Sequence, residues 1–112
     1  MSAITTHVLD TSRGCPAAGI GVKLHRKIGE NWLAVGEGRT DANGRCNDLM
    51  KDGLAEAGTY RLVFHAADYF RTRQDETFYS DIPIVFEVRD PGAHYHVPLL
   101  ISPFGYSTYR GS

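Results

Sequence analysis

Apolar residues recur at every second position through most of this chain, in short runs that turn residues cut off. A β-strand imposes that period, because successive side chains leave opposite faces of a sheet. In "ITTHVLDT", Ile4, Thr6 and Val8 point one way and His7 and Leu9 the other. "IGVKLHR" sets Ile20, Val22 and Leu24 on one face, and "TYRLVFHA" does the same with Tyr60, Leu62 and Phe64. "IPIVFEVR" aligns Ile82, Ile84, Phe86 and Val88, with Pro83 suiting an edge or a strand start. "WLAVGEGRT", "RCNDL", "HYHVPLLIS" and "GYSTYRG" bring the strand-like runs to eight. "SRGCPAAG", "KIGEN" and "DANG" read as turns, the last holding an Asn-Gly pair suited to positive φ. Only "ADYFRTRQ" reads as a short helix. Short strands at this spacing predict an all-β, two-sheet sandwich.

At 112 residues the chain is expected to form one domain, 1–112, around one core. Its 12 basic and 13 acidic residues are scattered, so no basic stripe points to nucleic acid and no charge block to a disordered tail. "MSAITTHVLD" lacks the basic and apolar regions of a secretory leader, and no apolar run reaches membrane-spanning length. The end, Arg-Gly-Ser, is not a peroxisomal address. A cytoplasmic protein with no membrane partner is expected. Cys15 and Cys46 lie too far apart for a metal motif and read as free thiols.

Three strands are unusual on the face away from the core. In "HYHVPLLIS", Val97, Leu99 and Ile101 share the core face, which leaves His94, His96, Pro98 and Leu100 on the other. The first strand carries His7 and Leu9 there, and the last carries Ser107, Tyr109 and Gly111. A sheet facing water usually holds Lys, Glu and Thr on that side. The mixture of apolar and special polar residues fits a covered face with a polar pocket in it. Scattered exposed hydrophobes at Leu9 and Leu100 are the plainer reading, and the pattern alone weighs the two equally.

"HVLDTSRGCPAAGIGVKLHR", "TDANGRC" and "HYHVPLLISPFGYSTYRGS" together resemble the transthyretin-related family, in particular its enzyme branch, the 5-hydroxyisourate hydrolases. The resemblance runs through the whole chain in register, and the closing Tyr-Arg-Gly-Ser is that branch's signature. It implies a transthyretin-like sandwich of eight strands with one short helix. It also implies a homotetramer, a dimer of dimers around a central channel, with sites built from facing subunits. The residues that it carries over are His7, Arg45, His96 and the tail Tyr109, Arg110, Gly111 and Ser112. Tyr109 would narrow the channel, and Ser112 with its carboxylate would line the pocket. Transthyretin, the hormone-carrier branch, lacks the equivalents of His7, Arg45 and His96.

The implied reaction is hydrolysis of 5-hydroxyisourate, a small oxidised purine, to 2-oxo-4-hydroxy-4-carboxy-5-ureidoimidazoline in urate degradation. Water must lose a proton as it attacks a ring carbonyl, and histidine titrates in the right range to take it. His7 and His96 would hold and deprotonate that water. Arg45 presents a planar fork of donors to orient the ring and meet the growing negative charge. The expected catalytic set is His7, Arg45, His96 and Ser112. Substrate contacts are expected from His7, Arg45 and residues 109–112. No cofactor and no metal are implied. Which histidine is the base stays open.

Each of these residues has an ordinary explanation: a strand histidine, a solvated arginine after a turn, a packing tyrosine, a loose terminus. Their joint occurrence outweighs those. His94 shares a face with His96, and such a pair can take up a metal, but it has no place in the family pattern. His25 and His65 read as surface residues. Three other functions compete: a small-ligand carrier without catalysis, a cysteine hydrolase using Cys46 beside Arg45, and a structural or adhesion sandwich. A carrier needs no histidine pair, Cys46 has no evident base, and a structural sandwich leaves the polar face unexplained.

Overall fold

A computed structural model describes residues 3–50 and 55–112. The strands are β1 (Ile4–Asp10), β2 (Cys15–Pro16), β3 (Gly21–Ile28), β4 (Asn31–Arg39), β5 (Arg45–Cys46), β6 (Gly58–Phe64), β7 (Ile82–Val88), β8 (Tyr95–Ser102) and β9 (Gly105–Thr108). One helix, α1 (Ala66–Arg71), follows β6. One sheet runs β2-β1-β8-β9, with β5 also pairing with β1, and the other runs β4-β3-β6-β7. The two-sheet sandwich, with a single short helix among the described residues, is the architecture that the sequence reading predicts. The extra strand is β2, two residues inside "SRGCPAAG", where Pro16 and Cys15 pair with Leu9 and Asp10. The strand expected over "RCNDL" shrinks to Arg45 and Cys46.

The core is the set of residues that the period assigns to it. Ile4, Val8, Leu99 and Ile101 of one sheet face Val22, Leu24, Leu62 and Phe64 of the other, all essentially without exposure. Each such side chain removed from water stabilises the fold by about 1.5–3 kcal/mol before chain entropy is counted. Pro83 sits second in β7, an outer strand of its sheet, where its missing N–H costs little. α1 closes one end of the sandwich, burying Ala66, Ala67, Tyr69 and Phe70. Tyr69 also ties the helix to β1, its hydroxyl donating to Asp10 at 2.8 Å. Burial alone would raise the Asp10 carboxyl. The hydrogen bonds from Ser12, Tyr69 and Arg13 outweigh that and hold it low. No helix among the described residues is long and apolar enough to cross a membrane.

β1 and β8 run parallel, from Ile4 beside Tyr95 to Asp10 beside Ile101. This pairing joins residues from opposite ends of the chain and sets the outer face of the sheet, on which the polar residues collect.

Candidate active site

Paired residues in a sheet share a face, so the register fixes who meets whom. Thr5 lies beside His96, His7 beside Pro98 and Leu9 beside Leu100. On the other side of β1, His7 lies beside Arg45. Beyond β9, Gly111 pairs back onto His96. Thr5, His7, Arg45, His96 and Gly111 therefore occupy one patch of the outer face. The period-2 reading placed His7, His96 and Gly111 there.

The "DANG" turn presents Arg45. Asp41 Oδ1 accepts from the backbone N–H groups of Asn43 at 2.9 Å and Arg45 at 3.0 Å. These bonds hold the Asp41 carboxyl below its usual range. Gly44 has φ of 78°, and a Cβ there would lie 2.3 Å from the Val8 carbonyl oxygen. Only glycine meets both demands. The turn's Asn43 carbonyl in turn accepts from His7 Nε2 at 2.9 Å. A carbonyl cannot donate, so Nε2 carries the proton, and in the neutral ring Nδ1 holds the lone pair. Arg45 is exposed, and its guanidinium makes no ion pair with a described residue.

His96 is half-buried. Its Nδ1 lies 2.8 Å from Thr5 Oγ1, and the same hydroxyl lies 3.1 Å from His94 Nε2. Nε2 of His96 makes no hydrogen bond to the described residues and is free to meet a ligand. Burial pushes the His96 pKa down, and the nearby charges of Arg45, His7 and His94 push it further. At a given pH more of this ring is therefore neutral, and able to accept a proton, than of an unperturbed histidine.

Gly111 is packed against that ring. A Cβ at this position would lie 2.6 Å from His96 Cδ2 and 3.1 Å from Pro98 Cγ. The proline ring cannot swing away, so the imidazole must. Gly111→Ala is expected to rotate His96 and lower turnover about 10- to 100-fold, the scale on which small misplacements act. Steady-state kinetics on a variant with an unchanged melting temperature checks this. Parent-like kinetics would mean that the contact is slack.

The tail divides. Gly111 N donates to the His96 carbonyl at 2.8 Å, which fixes the end of the chain to β8. Arg110 turns to the other side and lays its guanidinium over the Tyr95 ring, 4.6 Å from the centroid. Tyr109 is 61% exposed. Both line a cavity of about 360 Å³ with Ile84, Phe86, Tyr95 and His96, between β7 of one sheet and the start of β8 in the other. His7 and Arg45 lie outside that cavity, so His96 is where the two groups of residues meet. Ser112 is exposed beyond Gly111.

The thiol route loses its footing. Cys46 pairs with Thr6, one position out of step with His7 and Arg45, and so faces the core at 1% exposure. Burial and the neighbouring Asp48 carboxylate push its pKa up to about 11, the reverse of an activated nucleophile. Cys46→Ser is expected to keep parent-like turnover. A folded but inactive serine variant would restore the thiol. His25 and His65 are half-buried rather than open surface residues, held against Arg61 and Asp81.

Residues 4–111 match the model of the HIUase/Transthyretin family. The chain belongs to that family. The 5-hydroxyisourate hydrolase of Caulobacter vibrioides is 47% identical and covered end to end, as is this chain. The structure of Klebsiella pneumoniae 5-hydroxyisourate hydrolase superposes with a TM-score of 0.85 at 36% identity, over 97% of this chain and 98% of that one. Sparus aurata transthyretin superposes more closely, with a TM-score of 0.91, at only 28% identity and over 99% and 97% of the two chains. Backbone similarity therefore does not separate the enzymes from transthyretin within the family, and the side chains of the site must.

Proposed function

We propose that this chain is a metal-independent cyclic amide hydrolase that converts 5-hydroxyisourate to 2-oxo-4-hydroxy-4-carboxy-5-ureidoimidazoline. The observation that carries the reading is the joint placement of His7, Arg45 and His96 on one sheet face, where a carrier needs none of them. Identity of 47% to a named hydrolase, over full length, supports the same substrate.

A water held between the two histidines gives one proton to an imidazole and adds its oxygen to a carbonyl carbon of the six-membered ring. The ring C–N bond then breaks. The nitrogen takes up a proton, and the new carboxyl group ionises. His96 is the better base, because its ring is kept neutral and its Nε2 is open. His7 orients the water through Nδ1. Arg45 binds ring carbonyls and meets the charge that grows on the attacked oxygen. Ser112 closes the pocket, Gly111 makes room for the His96 ring, and Tyr109 and Arg110 bound the site from the cavity side.

The site's outer face also carries Leu9 and Leu100, both half-buried in the single chain. In our reading a second pair of subunits covers this face, in a homotetramer whose facing chains share the sites. Light scattering at micromolar concentration is expected to give the mass of four chains, and a monomer there would remove the shared site. The activity itself is tested by adding the protein to urate and urate oxidase. The transient absorbance of 5-hydroxyisourate is expected to decay faster than without the protein. A decay equal to the control overturns the reading.

A further inference from the structure

We propose that Thr5 and His94 form a proton relay behind His96, which sets its resting tautomer with Nδ1 protonated and shuttles a proton between the site and solvent as the reaction proceeds. This rests on the reading of His96 as the base.

The unusual group is the Thr5 hydroxyl. Thr5 is 4% exposed, and a buried strand threonine ordinarily spends its hydroxyl on a backbone carbonyl. Its neighbour Thr6 does so, donating to the Val97 carbonyl at 2.6 Å. Thr5 instead touches two imidazoles, His96 Nδ1 at 2.8 Å and His94 Nε2 at 3.1 Å. The two rings lie nearly parallel, 17° apart, with centroids separated by 6.5 Å. Alternation along the strand places both histidines on one side, with the hydroxyl between them.

A hydroxyl has one proton to give and lone pairs that accept. Were both ring nitrogens to donate, its own proton would need a third partner, and none is present among the described residues. With both rings neutral, two arrangements fill both bonds. In one, His96 Nδ1–H donates to Oγ1, and Oγ1–H donates to His94 Nε2. In the other, both bonds reverse. The two tautomers are thus coupled through one oxygen. Only the first leaves the lone pair on His96 Nε2, where a base needs it.

The reaction gives the relay a task. Attacking water brings two protons. One ends on the leaving ring nitrogen, and the other is surplus once the product carboxyl ionises. When His96 Nε2 holds a proton, Nδ1–H passes its own to Oγ1 while Oγ1–H passes to His94 Nε2. One proton enters at His96 and one reaches His94, which leaves His96 neutral with its proton on Nε2; when Nε2–H goes to the leaving nitrogen, the reverse shift through Oγ1 takes a proton back from His94 and restores Nδ1–H. His94 is exposed and exchanges this proton with water in both directions. Burial and the charge of Arg45 disfavour a charged His96, which favours the transfer outward. Neither Thr5 nor His94 touches substrate in this scheme.

Thr5→Val keeps the shape and removes the hydroxyl, Thr5→Ser keeps the hydroxyl, and His94→Ala changes an exposed side chain. Imidazole ¹⁵N spectra of the parent are expected to show His96 with Nδ1 protonated, and Thr5→Val to show a mixture of tautomers. Thr5→Val and His94→Ala should each lose about tenfold in kcat with KM unchanged, and Thr5→Ser should stay near the parent. Added imidazole buffer should restore His94→Ala, whose lost group sits in solvent, and not Thr5→Val. A parent-like His96 tautomer in Thr5→Val overturns the coupling. Parent-like kcat in His94→Ala overturns the export route and leaves Thr5 a positioning residue only. The spectra are read without substrate, so a parent that fails to hydrolyse 5-hydroxyisourate fails the proposed function separately.

Discussion

Replacing His96 with asparagine should lower kcat roughly 10²–10⁴-fold, the usual cost of losing one proton-transfer group. The structure explains why the fold should survive. His96 lies on the outer face, away from the apolar residues between the sheets. An asparagine side-chain N–H can still donate to Thr5 Oγ1, whose own proton goes to His94, so no buried hydroxyl is stranded. His7→Asn is expected to fall in the same range, since it removes both the bond to the Asn43 carbonyl and the nitrogen that holds water. Kinetics paired with thermal melts separates chemistry from stability. Near-native turnover in both variants would end the histidine-water mechanism.

Arg45→Lys should fail although it keeps the charge, with a loss on the order of 10²–10³-fold, the scale seen when one donor to a developing oxyanion is removed. Arginine presents a rigid planar fork, whereas lysine is a point donor on a flexible stem. The Asp41 turn holds the Arg45 backbone by two contacts, through the Asp41 carboxylate and the Asp41 N–H on the Arg45 carbonyl. The residue's position is thus set before its side chain meets substrate. Both KM and kcat should worsen, because one contact both orients the ring and meets its growing charge. A lysine variant with parent-like kinetics would show that positive charge alone suffices.

Much of this was legible in the residues. Alternation identified the inner faces of β3, β6, β7 and β8, because a half-buried sheet leaves that mark directly in sequence. It also placed His7 and His96 on one outer face. It could not show that β1 and β8 are neighbours, since their pairing spans nearly the whole chain and depends on tertiary packing. Arg45 lies after a turn, where periodicity says nothing, and only the register of β5 on β1 brings it to His7. Thr5 was missed, although it stands two residues before His7 and the same alternation puts it on that face. A threonine in a strand is so ordinary that only its two imidazole partners distinguish it. Arg110 could not be followed either, because the regular strand ends before it and the stacking on Tyr95 decides its direction.

The parallel pairing of β1 with β8 has a bearing on when the site comes into being. Closing a loop of some 90 residues, from Ile4 to Tyr95, costs chain entropy before any contact between them repays it. Contacts of such long sequence separation are the slow ones in folding. The β3, β6 and β7 strands, by contrast, are joined by pairings much nearer in sequence. On a ribosome, His7 would be made some 90 residues before His96 and would wait for it. Catalytic competence would then be a late event in folding, arriving with the docking of β8 onto β1, and a nascent chain could hold much of its core without yet having a site.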